Sequence, residues 1–185
     1  MARIVSPEAI ASYPHLFEPR PNMSTGAPEY SVSLVFEPGA DLSEMKKLAL
    51  ETAKEKFGSK TESMIKSGTL RMPFRDGSEK YGEGFTYMNV KAKSAPGIVS
   101  RFAGPDGKPQ KIEDPSEIYA GVRLRASLSA YAYDVSGNRG VAFGLNNVQK
   151  LRDGERIDGR MAAESEFDAL ESADTSGTEL DELLS

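Results

Sequence analysis

The chain has 185 residues, the length of one compact domain with room for a tail, and its 38% apolar side chains can bury one core. It has no cysteine and a single histidine, His15, which excludes disulfide frameworks, thiolate zinc sites and cysteine nucleophiles and removes most triad and metal-ligand sets. The formal net charge of −5 argues at first sight against a polyanionic ligand, and no apolar run approaches the ~18 residues of a membrane span.

The start of the chain lacks the charged n-region and apolar h-region of an export signal, so an intracellular protein is expected. Residues 2–6 read as a short first strand, followed by a stretch studded with Pro14, Pro19, Pro21 and Pro28 that reads as irregular coil. Residues 29–36 alternate: Tyr30, Val32, Leu34 and Phe36 share one face and Ser31 and Ser33 the other, the period of a half-buried strand. Asp41 and Glu44 are spaced as a capping box for a helix over 41–57, whose apolar residues recur at helical spacing until Gly58. A shorter helix is expected over 61–66. Segments 67–84 and 94–117, rich in Gly and Pro, read as long loops of the kind that tend to carry function. Three more strands are predicted at 85–93, 120–134 and 139–150, the last two joined by a hairpin turn over Val135-Ser-Gly-Asn138.

The chain ends in a segment of different character. After Arg160 there is no basic residue, whereas Glu164, Glu166, Asp168, Glu171, Asp174, Glu179, Asp181 and Glu182 supply eight acids, so residues 1–160 carry a net charge of +3. The division predicts a slightly basic folded domain over 1–160 and an acidic flexible tail over 161–185, too poor in apolar surface to offset its ordering entropy. Phe167, Leu170, Leu180, Leu183 and Leu184 recur among those acids, a pattern suited to basic, apolar grooves on partner proteins.

Function is legible chiefly in the strand faces. From Val122 to Tyr133 the even positions are Val, Leu, Ala, Leu, Ala and Ala, a core face, and the odd ones place Arg123, Arg125, Tyr131 and Tyr133 along one stripe. The 85–93 strand repeats the arrangement, with Phe85, Tyr87, Asn89, Lys91 and Lys93 opposite Thr86, Met88, Val90 and Ala92. Cations attract a phosphodiester backbone and rings stack on unpaired bases, whose π-faces a duplex hides; the combination fits single strands read without regard to sequence. Arg71, Arg75 and Lys80 in the first long loop, and Arg101, Lys108 and Lys111 in the second, are candidates for the rim. The plainer alternative is an ordinary solvated strand face, its aromatics filling a second core under a loop or helix.

Several stretches carry a resemblance: Tyr13-Pro-His-Leu-Phe-Glu-Pro19, Tyr30-Ser-Val-Ser-Leu34, Pro73-Phe-Arg-Asp-Gly77 and, most specific, Gly144-Leu-Asn-Asn-Val-Gln-Lys-Leu-Arg-Asp-Gly-Glu155. From about residue 3 to 167 the chain resembles a family of bacteriophage-encoded single-stranded DNA-binding proteins built on an OB fold. The resemblance implies a mainly β, OB-fold-like small antiparallel β-barrel with one principal helix, no cofactor, and a role in phage DNA replication or recombination in the cytoplasm of an infected bacterial host. The charge split at Arg160 suggests that the tail, through Phe167, Asp181, Glu182, Leu183 and Leu184, competes with DNA for the basic groove, and the resemblance implies that it recruits replication proteins. One feature departs from the OB pattern: the helix follows an early strand, where such barrels commonly place it between the third and fourth strands. Gly140 and Gly144 read as relieving barrel curvature, and Asn146 and Asn147 as satisfying backbone groups at a bulge. Two other function classes stay open: a metal-dependent phage nuclease built on Asp76, Glu79, Glu83, Asp153 and Glu155, and a virion structural protein.

Overall fold

The computed structural model describes residues 2–157 together with 167, 169 and 170. In chain order these form β1 (Arg3–Val5), β2 (Ala9–Pro21), β3 (Pro28–Phe36), α1 (Ser43–Phe57), α2 (Thr61–Lys66), β4 (Leu70–Arg71), β5 (Arg75–Asp76), β6 (Thr86–Ala92), β7 (Gly97–Ala103), β8 (Pro109–Lys111), β9 (Arg123–Val135) and β10 (Asn138–Arg152). The chain is mainly β with one principal helix. β2 pairs with β3, β3 with β6, β6 with β10, β10 with β9, and β9 again with β2, so five strands form a closed ring. Every pair in the ring is antiparallel except β6–β10, which is parallel and meets only at Lys91 and Gly144.

Alternation decides what the ring encloses. Ala9 and Ala11 of β2, Val32, Leu34 and Phe36 of β3, Met88 and Val90 of β6, and Leu124, Ala126, Leu128 and Ala130 of β9 all point inward and are buried. Each of the larger ones stabilises the fold by ~1.5–3 kcal/mol through removal from water. β10 sends Val141, Phe143 and Leu145 inward, and then Val148: the register shift between Leu145 and Asn147 inserts one residue and restores the inward direction after it. Helix α1 adds Leu42, Met45, Ala49 and Ala53 to the same core and packs against β9 and β10. It falls between the second and third strands of the ring. Asp41 and Glu44 do not form the expected capping box; the Asp41 carboxylate instead accepts the N–H and O–H of Ser43, and Leu42 stands at the N-cap without a side-chain bond. At the other end Gly58, with φ of 67°, stops the helix where a side chain would be strained.

Two expected coils are strands. The proline-studded stretch is β2, in which Pro21 ends the strand opposite Pro28 and the other two prolines sit where the ladder is broken: its register with β3 shifts between Ser12 and His15 and again between His15 and Arg20. Pro14 and Pro19 fall in those gaps, where no ladder N–H is needed. Tyr13, with φ of 48°, makes the first bulge and is thrown outward. The second long loop is largely the irregular β7–β8 hairpin, attached to the ring by parallel pairing of Gly97–Val99 with Asn147–Gln149. The turn joining β9 to β10 is as expected: Ser136 and Gly137 have φ of 52° and 82°, the positive pair that a type I′ hairpin requires.

Candidate nucleic-acid interface

β6 and β10 touch at Lys91 and Gly144 and diverge from there, and the 67–84 segment fills the split. Its β4 pairs in parallel with Arg139 and Gly140 of β10, and its β5 pairs with Thr86 and Tyr87 of β6. The loop is thereby pinned to both lips of the opening and carries Arg71 and Arg75 to it. The result is a hollow of about 710 Å³ on the outside of the ring, lined among others by Arg71, Arg75, Asn89, Lys91, Tyr131 and Tyr133. No carboxylate is among the described residues lining it.

The rings approach β10 closely because that strand is bare opposite them. Tyr131 and Tyr133 of β9 stand opposite Ala142 and Gly140 of β10. A Cβ added at Gly140 would sit 2.5 Å from the Tyr133 hydroxyl and 2.7 Å from the Arg71 carbonyl oxygen; one at Gly144 would meet the Tyr131 ring at 3.7 Å. Gly140 therefore serves close approach of ring and loop rather than curvature alone. Tyr131 is 37% exposed, and partial burial, with Tyr133 and Glu29 nearby, raises its pKa above the usual phenol value. It stays neutral, able to stack without repelling phosphate. Lys91 lies 3.8 Å from the Glu29 carboxylate at the edge of the hollow. Asn146 donates to Ser129 on the same outer side, and Asn147 accepts the Gly97 N–H, so of the two only Asn147 satisfies a backbone group at the bulge.

The expected single stripe along β9 is divided. Arg123 lies in ion pairs with Glu8 and Glu37, its side chain 23% exposed, and Arg125 donates to Gln149 beside Val5, Val99 and Pro109. Neither lines the hollow that holds Tyr131 and Tyr133. The cause is the length of β9, thirteen residues of twisted strand whose two halves meet different neighbours. On β6, Lys91 lines the hollow and Lys93 is exposed just past the strand end. Tyr87 is half-buried, its ring edge-to-face with Tyr81 at 5.6 Å. Phe85 turns into its own loop, where its ring closes on Gly82 and its carbonyl accepts the Gly77 N–H. Lys80 stands over the Tyr13 ring at 4.7 Å and within 5.7 Å of those of Tyr81 and Tyr87. Arg101, Lys108 and Lys111 lie on the β7–β8 hairpin, which joins β10 beyond its bulge.

Tyr13 and Tyr81 escaped the sequence reading because one lies in an expected coil and the other in a loop; only their joint placement around Lys80 marks them. Of the tail residues, Phe167 is 70% exposed, while Asp181, Glu182, Leu183 and Leu184 lie outside the described residues. Of the acids weighed for metal chemistry, Asp76 accepts from Ser78, and Asp153 pairs with Lys150 at 2.9 Å and accepts from the Tyr119 hydroxyl. Among the described residues no three His, Asp or Glu side chains are grouped to hold a metal ion.

Residues 2–178 match the family described as the ssDNA-binding protein of Enterobacter phage Enc34. In fold, the chain is similar to the single-stranded DNA-binding protein from bacteriophage Enc34 solved in complex with ssDNA, with a TM-score of 0.61 at 22% identity over 84% of this chain and 89% of that one. It is similar also to gp2.5, a single-stranded DNA-binding protein encoded by bacteriophage T7, with a TM-score of 0.61 at 18% identity over 88% of this chain and 98% of that one. No curated protein sequence matches the chain significantly.

Proposed function

The chain belongs to the Enterobacter phage Enc34 ssDNA-binding protein family, and from that premise we propose that it coats single-stranded DNA without regard to sequence, as a non-enzymatic protein of phage replication or recombination acting in the infected host's cytoplasm. The observation that carries the reading is the hollow itself: two phenol rings over a glycine-bearing strand, with Arg71, Arg75 and Lys91 around them and no carboxylate among the described lining residues. Rings of this kind accept any base, each stack contributing ~1–3 kcal/mol, and the cations displace counterions from the strand. In this reading residues 1–160 are one OB-type domain, for which the order β2-β3-β6-β10-β9 and the parallel β6–β10 closure are the support. Phe85, Tyr87 and Lys93 border the contact surface, and Arg123 and Arg125, engaged by Glu8, Glu37 and Gln149, serve the fold more than the strand.

The acidic tail over 161–185 follows as a tethered competitor: held near the basic hollow at high effective concentration, it yields to DNA and is then available to replication proteins. Titration with oligo(dT) and a matched duplex at several salt concentrations tests the function. Preference for the single strand with affinity falling steeply as salt rises is expected; equal affinity for duplex, or no salt dependence, overturns it. For the tail, truncation after Arg160 is expected to tighten binding at low salt.

A further inference from the structure

A second hollow, of about 820 Å³, opens on the outer side of β2, and its composition repeats that of the first. Tyr13, His15, Arg20, Lys80, Tyr81 and Tyr119 line it, with no carboxylate among the described lining residues. The two hollows share one face of the ring. Asn89, Lys91 and Tyr87 alternate onto the same side of β6; the first two line the first hollow, and the Tyr87 ring meets Tyr81 and Lys80 of the second. Beneath these rings a row of paired residues runs straight across three strands: Ser12 opposite Ser33, and Ser33 opposite Asn89. Ser33 donates to Asn89, and the Tyr81 hydroxyl donates to Ser12, so the row is bonded from one hollow to the other.

Tyr13 is the most telling member. It is 59% exposed, in a left-handed conformation that strains a tyrosine backbone, and its ring is held under the Lys80 ammonium. The bulge that aims it outward also returns β2 to the core at Leu16, so the fold and the display of the ring use the same distortion.

We propose that the second hollow holds a further run of the same DNA strand, so that one single strand crosses from Tyr131 and Tyr133 past Arg75 and Tyr87 to Lys80 and Tyr13, entering the pocket of His15 and Arg20. The inference rests on the proposed single-strand function and adds to it a two-part path with its own aromatic and cationic groups. Its consequence is a dependence on strand length: a short oligomer fills the first hollow alone, and a longer one gains from both.

The test compares the full chain with a Tyr13→Asn/Lys80→Gln variant, Asn being a residue that tolerates the left-handed backbone. Both are titrated with labelled dT oligomers of about 4 and about 16 nucleotides, the limits of the site sizes that OB-type domains show. A loss of about 5- to 150-fold on the long oligomer, with the short one bound as by the parent, is expected. Equal affinity of variant and parent for the long oligomer overturns the second segment while leaving the proposed function standing. Equal losses at both lengths also overturn it, since Tyr13 and Lys80 would then belong to the first contact. Failure of the parent to bind either oligomer overturns the function itself. A thermal melt of the variant matching the parent assigns any loss to the surface.

Discussion

The two ends of β9 begin from the same alternation and end in opposite conditions. At the Arg123 end the outward side chains are saturated: Glu8 and Glu37 hold Arg123, Gln149 holds Arg125, and Arg152, beside Arg123 in the ladder, is held by Glu8 at 2.8 Å. At the Tyr131 end the pairing is sparser: Glu29 stands near the ring and 3.8 Å from Lys91, but β10 offers glycine and alanine beneath the rings, and Arg71 and Arg75 of the neighbouring loop line the hollow without a carboxylate among the described lining residues. An outward cation whose charge is matched by fixed carboxylates holds strands together. A ring or cation left facing an acid-free hollow is available to a ligand.

The sharpest way to break that contrast is to remove the rings. Tyr131→Ala or Tyr133→Ala is expected to weaken single-strand binding by ~1–3 kcal/mol on every base composition alike, whereas Arg123→Ala is expected to lower the melting temperature and leave affinity near that of the parent. Anisotropy titrations beside thermal melts read both. Next in size, Gly140→Ala drives a methyl against the Tyr133 hydroxyl and the Arg71 carbonyl; such overpacking costs ~1–3 kcal/mol of stability and displaces the ring. Gly144→Ala, meeting Tyr131 at ordinary van der Waals distance, is expected to change little, and similar behaviour of the two variants would dissolve the distinction.

Smaller again is the salt response. Arg71→Ala or Arg75→Ala is expected to reduce the slope of log affinity against log salt by ~0.7 for each phosphate that is no longer neutralised, and Arg123→Ala to leave it unchanged. The smallest effect belongs to the saturated end and to acid. The hydrogen bond from Arg152, with the nearby charge of Arg123, holds the Glu8 carboxyl below its ordinary pKa, and Lys150 and Tyr119 do the same for Asp153. A carboxylate whose folded pKa is depressed stabilises the fold above its unfolded pKa of ~4 and loses that contribution as pH falls through the lowered value. Melting temperature is therefore expected to decline on acidification below that range, and less steeply in Glu8→Gln, measured by thermal melts across an acid series.

Much of the fold was legible locally. Residues 29–36, 85–93, 120–134 and 139–150 were readable as strands because a half-buried sheet imposes a period of two, and the 41–57 helix because its apolar stripe repeats at helical spacing. β2 was not legible, since its prolines argue against a strand unless the partner's register is known to slip where they fall. The second loop's β7 was hidden for a related reason: its pairing with Asn147–Gln149 joins residues about fifty apart in the chain. In the site, Arg71, Arg75, Lys91, Tyr131 and Tyr133 were singled out from residue type and alternation, and the structure brings these five together. Tyr81 carried no local mark, and Tyr13 entered only as the first residue of the Tyr13–Pro19 motif, with nothing local to mark it as part of the site.

The sequence by itself determined which side of each strand is apolar, where the helix runs and how charge divides along the chain, because those follow from spacing and composition over a few residues. Only the tertiary structure decided which cations are consumed by carboxylates and which face an open hollow. That outcome depends on strand pairing, bulges and a loop pinned across diverging strands, all of them contacts between residues far apart in the chain, and no local pattern records them.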